Sequence, residues 1–456
     1  MVLWFQSALT ADGWHDGVRL HIEAGQIAAV EAGVAAEPGD ERHAIGLPGM
    51  PNLHSHAFQR GMAGLAEVRG ESRDSFWSWR QVMYRFLDRL TPEDVEAIAA
   101  LAYAEMLEAG FTRVGEFHYL HHDCDGAAYA DIGELSARIA AAAEATNIGL
   151  TLLPVFYAHA GFGGQAPAEG QRRFINSLDR FGLLMERARA SIKDLPGANL
   201  GLAPHSLRAV TAEELVEVLL LAQEGPLHIH VAEQVKEVED SVAFSGKRPV
   251  EWLIEAMAAN GTPVDRRWCL IHATHMTESE TTALAASGAT AGLCPLTEAN
   301  LGDGIFPADR FVDAGGYYGV GTDSNILIDV PGELAMLEYS QRLALRSRNV
   351  MAAGASRSTG RSLFDAARQG GARALGVAPM DLAVGAVADI VSLDPSAFVE
   401  GQRDDRIVDG WIFAARRPIV DCVWRHGRQV VKAGRHVARD AIAARYKATL
   451  AKVLAE

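Results

Sequence analysis

From about residue 47 to residue 324, short apolar runs alternate eight times with amphipathic helical stretches, and few folds accept that order. The strand candidates are GLPGMPNLHSH (46–56), FTRVGEF (111–117), GLTLLPVFY (149–157), NLGLAP (199–204), PLHIHVAE (226–233), WCLIHAT (268–274), ATAGLCP (289–295) and YYGVGTDS (317–324). The intervening stretches carry helix punctuation. TPEDVEAIAALAYAEMLEAG opens with Thr91 and Pro92 at the N-cap and first helical positions, places Glu93 and Asp94 in the first turn and stops at Gly110. Eight strand–helix units predict a closed (β/α)8 TIM-like barrel of roughly 250 residues, with room left for insertions.

The flanks read differently. HIEAGQIAAVEAG and VWRHGRQVVKAG are short alternating strands with turn glycines. The expected organisation is a small noncontiguous β-sandwich domain from 1–46 and 376–436, the barrel over 47–375, and a C-terminal surface helix over 437–456. No internal repeat or low-complexity segment stands out. With 49% hydrophobic and 22% charged residues, the chain can bury a large core. A formal net charge of -16 argues against nucleic acid and anionic membranes as partners and points to small-molecule chemistry. The N-terminus lacks a basic n-region and a long apolar core, so a cytoplasmic protein is expected. Cys124, Cys269, Cys294 and Cys422 show no paired spacing and read as reduced thiols.

Chemistry collects at the strand ends. His54 and His56 alternate at the end of the first strand candidate, so both rings can face one point. Alone, that spacing is weak. The fifth candidate adds His228, His230 and Glu233, the sixth adds His272, and the eighth ends at Asp323. All lie near carboxyl ends of strands, the barrel face on which active sites are built. Three imidazoles and a carboxylate suit Zn²⁺ or a similar divalent first-row metal, with one position open to water.

The order His-x-His, His-x-x-Glu, His, Asp resembles the amidohydrolase superfamily, in its mononuclear deaminase branch, over nearly the whole chain. The resemblance implies His54, His56, His230 and Asp323 as metal ligands, with Glu233, His272 and Asp323 as catalytic groups. His228, two residues deeper, is expected to be packed. Dinuclear members bridge their metals with a carboxylated lysine from the fourth strand; here no lysine precedes Lys193 and that strand ends in LAPHS, so one metal, zinc first among the candidates, is expected. The implied reaction uses water activated by the metal. Asp323 and His272 would orient or deprotonate it, and Glu233 would carry the proton to the departing nitrogen.

Substrate choice lies in the loops. HSHAFQRGMAG, SFWSWR, EFHYLHHD, APHSLRAV, HIHVAEQ and CPLTEANLGDG together resemble the formimidoylglutamate deiminase family of bacterial histidine degradation. That resemblance implies hydrolysis of N-formimidoyl-L-glutamate to N-formyl-L-glutamate and ammonia, and a homodimer. Two substrate carboxylates call for arginine forks, for which Arg80 and Arg208 are placed. Gln59, Tyr119 and His205 match family positions that contact the substrate. The rival within the branch is a deaminase of a purine or other cyclic amidine, and the rival outside it is a barrel without catalysis, which would be expected to lose ligands. The aromatic cluster Trp77, Trp79, Tyr84 and Phe86 in the 57–90 insertion is loop packing, a wall over the site, or both. HYLHHDCD, with His118, His121, His122, Asp123 and Cys124, reads as a polar loop rather than a second metal site. His275 reads as a loop residue, Gly302 and Gly304 as turns, and no strand-linked G-x-G-x-x-G supports a nucleotide cofactor.

Overall fold

The computed structural model describes residues 1–70, 76–222, 224–395, 401–415 and 417–455. Ser75, the first residue of the SFWSWR stretch, lies outside the described residues. All eight barrel strands form where the apolar runs predict them: β1 (Met50–Ser55), β2 (Phe111–His118), β3 (Gly149–Phe156), β4 in two short pieces (Asn199–Leu200 and Ala203–Pro204), β5 (Leu227–Val231), β6 (Trp268–His272), β7 (Thr290–Leu293) and β8 (Tyr317–Val320). β1 to β4 pair in parallel, as do β5 to β8. Single parallel bridges join the two halves: Leu202 to Leu227 and Ser206 to His230 on one side, Ser55 to Asp323 on the other.

Side chains fill the lower barrel. Leu53, Cys269, Ile271 and Cys294 cluster there with Ala374 and Leu375. They fit because facing strands carry glycines: a β-carbon on Gly319 would stand 2.5 Å from Leu53 Cδ2, and one on Gly292 2.6 Å from Ile271 Cδ1. A plugged floor leaves the carboxyl ends of the strands as the open end.

Both chain ends build one sheet, in the order Arg435–His436, Arg428–Lys432, Val420–Arg425, Ile390–Leu393, Glu41–Pro48, Val2–Thr10, Gly13–Glu23, Gln26–Glu31. Its hydrogen bonds run through all eight strands, so it is a single mixed sheet with Val2–Thr10 parallel to Glu41–Pro48. Phe5, Leu20, Ile390 and Trp424 form its core. Glu41–Pro48 passes through Gly49 directly into β1, which ties the sheet to the barrel.

One element departs from the expected β-rich tail. Asp405–Phe413 is a helix, and its buried Ile407, Val408, Trp411 and Ile412 fall on one helical face. Trp411 packs on Phe364 of the barrel helix Thr359–Ala374 at 6.2 Å between ring centroids. The helix Pro92–Glu108 starts with the expected cap, in which the Thr91 and Asp94 side chains each accept the other residue's backbone N–H. The C-terminal helix Arg439–Val453 lies along it, held by Arg439 to Glu105 and Glu108 (2.9 and 3.0 Å) and by Lys452 to Asp94 (2.7 Å). Among the described residues no helix is long and apolar enough to cross a membrane.

Candidate active site

Several strand ends above the plugged floor turn sharply through left-handed backbone. Ala232 after β5, His272 and Ala273 at the end of β6, and Asp323 and Asn325 after β8 all hold φ between +43° and +67°. Left-handed backbone is costly for residues with a β-carbon and gathers at functional sites. Here the turns swing side chains over the barrel axis. Backbone hydrogen bonds lock the first and last strands together, from His56 N to Asp323 O (2.9 Å) and from Asp323 N to His54 O (3.0 Å).

This framework gathers His54, His56, His230 and Asp323, all buried. One donor atom from each falls within 4.8 Å of the others. His54 Nε2 is 3.4 Å and His56 Nε2 3.3 Å from Asp323 Oδ1, and His230 Nε2 is 3.1 Å from His54 Nε2. The tautomers of two rings follow from their partners. His56 Nδ1 donates to Phe117 O (2.9 Å) and His230 Nδ1 to His205 O (3.1 Å), so each Nε2 turns a lone pair inward. Burial keeps the rings neutral: it lowers His54 to about 4 and His56 to about 3, and holds His230 well below its ordinary value. Burial opposes the charge on Asp323, but its hydrogen bond to His54 and the nearby His56 and His272 hold its carboxyl below the usual range. Convergent lone pairs beside a buried carboxylate fit a divalent first-row cation.

An acid–base pair flanks the cluster. His272 Nε2 lies 3.8 Å from Glu233 Oε1 and 3.8 Å from Asp323 Oδ2. Its Nδ1 meets Glu298 Oε1 at 3.2 Å, and the same oxygen accepts the Cys294 N–H at 2.9 Å, which fixes the ring. Burial pulls His272 down, yet Glu233, Glu298 and Asp323 outweigh it and push the imidazole up to about 10. Burial first, then Asp323 and Glu237, raises Glu233 to about 7, against the pull of His272 and Arg208. Glu298 carried no signal on its own in the sequence. Its position, four residues past Cys294 in the short helix Pro295–Leu301, is recognisable only once β7 is placed.

Above this centre opens a cavity. Its wall includes His56, His230, Glu233, His272 and Asp323, and with them Gln59, Arg80, Tyr119, His205 and Arg208. His54, fully buried, does not line it. Gln59 Nε2 donates to Tyr119 OH (2.9 Å), leaving Gln59 Oε1 buried with no partner among the described residues. Arg80 stands over the rings of Trp77 (5.8 Å) and Tyr84 (5.3 Å), and Arg208 over Trp77 (5.6 Å). Burial, then Arg208 and Arg80, holds His205 well below its ordinary value. The aromatic stretch divides its work: Trp79 and Tyr84 line the cavity, whereas Phe86 is buried in the core. Tyr157, just past β3, also lines the wall and was not among the expected residues; after an apolar strand it reads as core.

The discounted side chains stay outside the centre. His228 bonds Ala374 O (2.7 Å) in the barrel floor, His121 bonds Val155 O (2.9 Å), His122 bonds Ile175 O (2.9 Å), and His275 bonds Asp303 O (2.9 Å). Gly302 caps the Pro295–Leu301 helix at φ +71°, and Gly304 sits at +144°.

A parallel barrel with this cluster and acid–base pair at its open end defines a hydrolase with a candidate metal centre. Residues 45–430 match the amidohydrolase family model, and residues 2–44 match the N-terminal domain model of formimidoylglutamate deiminase HutF. The chain is 50% identical over 455 residues to the formimidoylglutamate deiminase of Pseudomonas aeruginosa, covering 99% of each. It superposes on the crystal structure of an amidohydrolase from Brucella melitensis with a TM-score of 0.96, 56% identity and full coverage of both chains. An adenosine deaminase from Xanthomonas campestris with bound zinc, 23% identical and covering 99% of this chain and 98% of its own, shares the fold at a TM-score of 0.80. The chain belongs to the amidohydrolase family and, within it, to the formimidoylglutamate deiminases.

Proposed function

We infer that the protein hydrolyses N-formimidoyl-L-glutamate to N-formyl-L-glutamate and ammonia in histidine degradation. The observation that carries this reading is the pairing of Arg80 and Arg208 in the wall of the same cavity that holds the His–Asp cluster and Glu233. A dicarboxylate amidine needs fixed cations at one end and water chemistry at the other. A neutral purine needs no guanidinium pair.

In this reading His54, His56, His230 and Asp323 hold one divalent cation, most simply zinc given three imidazoles and a carboxylate. Bound there, it supplies Lewis acidity that makes water nucleophilic near neutral pH. Asp323 and His272 orient the water above the strand ends. Glu233 takes the water's two protons in turn, the second from the new hydroxyl, and passes each to the leaving nitrogen, a task suited to a carboxyl near 7. The C=N carbon gains oxygen and the nitrogen leaves as ammonia. Arg80 and Arg208 grip the carboxylates, while Gln59, Tyr119 and His205 position the amidine. The same reading makes the working form a cytoplasmic homodimer and divides the chain into a barrel over 47–375, a small β-sheet domain from 1–46 and 376–436, and a terminal helix over 437–456.

Ammonia release decides the matter, measured with N-formimidoyl-L-glutamate, guanine and adenosine, each with and without chelator. Turnover confined to the first substrate and lost with chelator supports the reading. A metal-loaded enzyme that turns over guanine or adenosine instead defeats it.

A further inference from the structure

The direction of one hydrogen in the cavity wall follows from its neighbours. Tyr157 stacks obliquely on His205, with ring centroids 4.4 Å apart, and its hydroxyl oxygen has two partners. Gln171 Nε2 lies 2.6 Å away. The orientation of that amide is settled by its other end, because Gln171 Oε1 accepts the Ala168 N–H at 2.7 Å. Arg80 Nη2, 2.8 Å away on another side, belongs to a group that only donates. Both lone pairs of the Tyr157 oxygen therefore receive hydrogens, and its own hydrogen points elsewhere. Among the described residues no acceptor takes it, although Tyr157 is buried. The remaining direction is the cavity that the residue lines.

We propose that Tyr157 is a further specificity-determining residue, whose hydroxyl donates a hydrogen bond to the substrate carboxylate held by Arg80. This rests on the dicarboxylate reading above and adds to it a neutral donor with a fixed direction. The direction matters for selectivity. Gln171 and Arg80 prevent the hydroxyl from turning to accept, so a carboxylate is welcomed while the N–H₂ of a carboxamide meets two donors. Such a site rejects a neutral amide of the same size without a steric clash.

The experiment compares the wild-type enzyme with Tyr157→Phe, each metal-loaded, on N-formimidoyl-L-glutamate and on two analogues lacking one carboxylate, N-formimidoyl-4-aminobutyrate and N-formimidoyl-L-norvaline. The expected result is a KM raised about tenfold or more on the parent substrate, the size of one hydrogen bond to a charged group, with kcat within about threefold. On the analogue missing the contacted carboxylate, the variant and wild type should share one KM. Repeating the change in an Arg80→Met background separates a donor from a prop: a donor raises KM further, whereas a residue that only holds Arg80 changes nothing more. An unchanged KM on the parent, an equal penalty on both analogues, or no added effect without Arg80 overturns the proposal while leaving the deiminase reading intact. Wild-type enzyme that releases no ammonia from the parent overturns both.

Discussion

His54 Nε2 and His230 Nε2 face each other at 3.1 Å, one from β1 and the other from β5 across the barrel. The Nδ1 proton of His230 is committed to His205 O, so its Nε2 presents a bare lone pair to His54. His54 Nε2 carries a proton when it bonds Asp323 Oδ1 at 3.4 Å, and a divalent cation bound at this point would displace that proton and take a lone pair from each ring. Removing the metal with a chelator should abolish ammonia release, and zinc should restore it. His230→Ala, which deletes one donor of four, should weaken metal retention by more than about 100-fold, beyond the effect of disturbing an outer partner. Metal analysis after dialysis reads this directly, and stoichiometric zinc in the variant would contradict the assignment.

Glu233 sets the expected pH dependence. Burial, reinforced by Asp323 and Glu237, raises its carboxyl to about 7, so the base form accumulates only as pH rises through that value. His272, pushed up to about 10, keeps its proton until well above neutrality. The kcat/KM profile should therefore climb through about pH 7 and fall towards pH 10. Glu233→Gln should lower kcat by roughly 10²- to 10⁴-fold, the span of general acid–base assistance, and flatten the acid limb. An acid limb that survives the substitution would assign it to another group.

These groups were readable because the chemistry coincides with the pattern. His54, His56, His230, His272 and Asp323 each end an apolar run, and a closed parallel barrel sends such ends to one face. The rest is written in partners rather than period. Tyr157 ends β3 in the same way, but a tyrosine after GLTLLPVF is indistinguishable from core until Gln171 and Arg80 are placed around it. Glu298 matters because a backbone N–H four residues earlier aims it at His272. The Asp405–Phe413 helix lies in a tail of alternating strands, and its β-branched and aromatic residues suit either structure until Phe364 offers Trp411 a seat.

Arg80 and Arg208 separate the dicarboxylate reading from a purine site. Both lie against Trp77, so each guanidinium is held in place by aromatic surface before a ligand arrives. Replacing either by methionine removes the charge while keeping much of the bulk. KM for N-formimidoyl-L-glutamate should rise by about 100-fold, the effect of deleting a charged fork from a desolvated pair, with a smaller change in kcat. Steady-state kinetics tests this, and a KM within threefold of wild type in both variants would remove the arginines from substrate binding.

Asn325 joins the two edges of the barrel on which the candidate metal-binding cluster depends. The residue is buried at φ +55°, and its Nδ2 lies 3.1 Å from each of Ser55 Oγ, His56 O and Asp323 O. Its Oδ1 accepts from Thr322 Oγ1 (2.6 Å), which accepts in turn from Asn52 Nδ2 (2.7 Å). One connected network thus runs from β1 to the loop after β8 and fixes the spacing of His54 and His56 from Asp323. Asn325→Ala strips the amide from this network and leaves an alanine in left-handed backbone, so unfolding free energy should fall by about 2–4 kcal/mol. Asn325→Gly loses the same hydrogen bonds without the backbone strain and should be about 1 kcal/mol less destabilised. Both variants should release zinc roughly 10- to 100-fold more readily, because the donors they leave behind are no longer held at one spacing. Urea unfolding and zinc competition measure the two effects independently. If the glycine variant retained zinc as wild type does while unfolding earlier, the network would stabilise the barrel without organising its metal site.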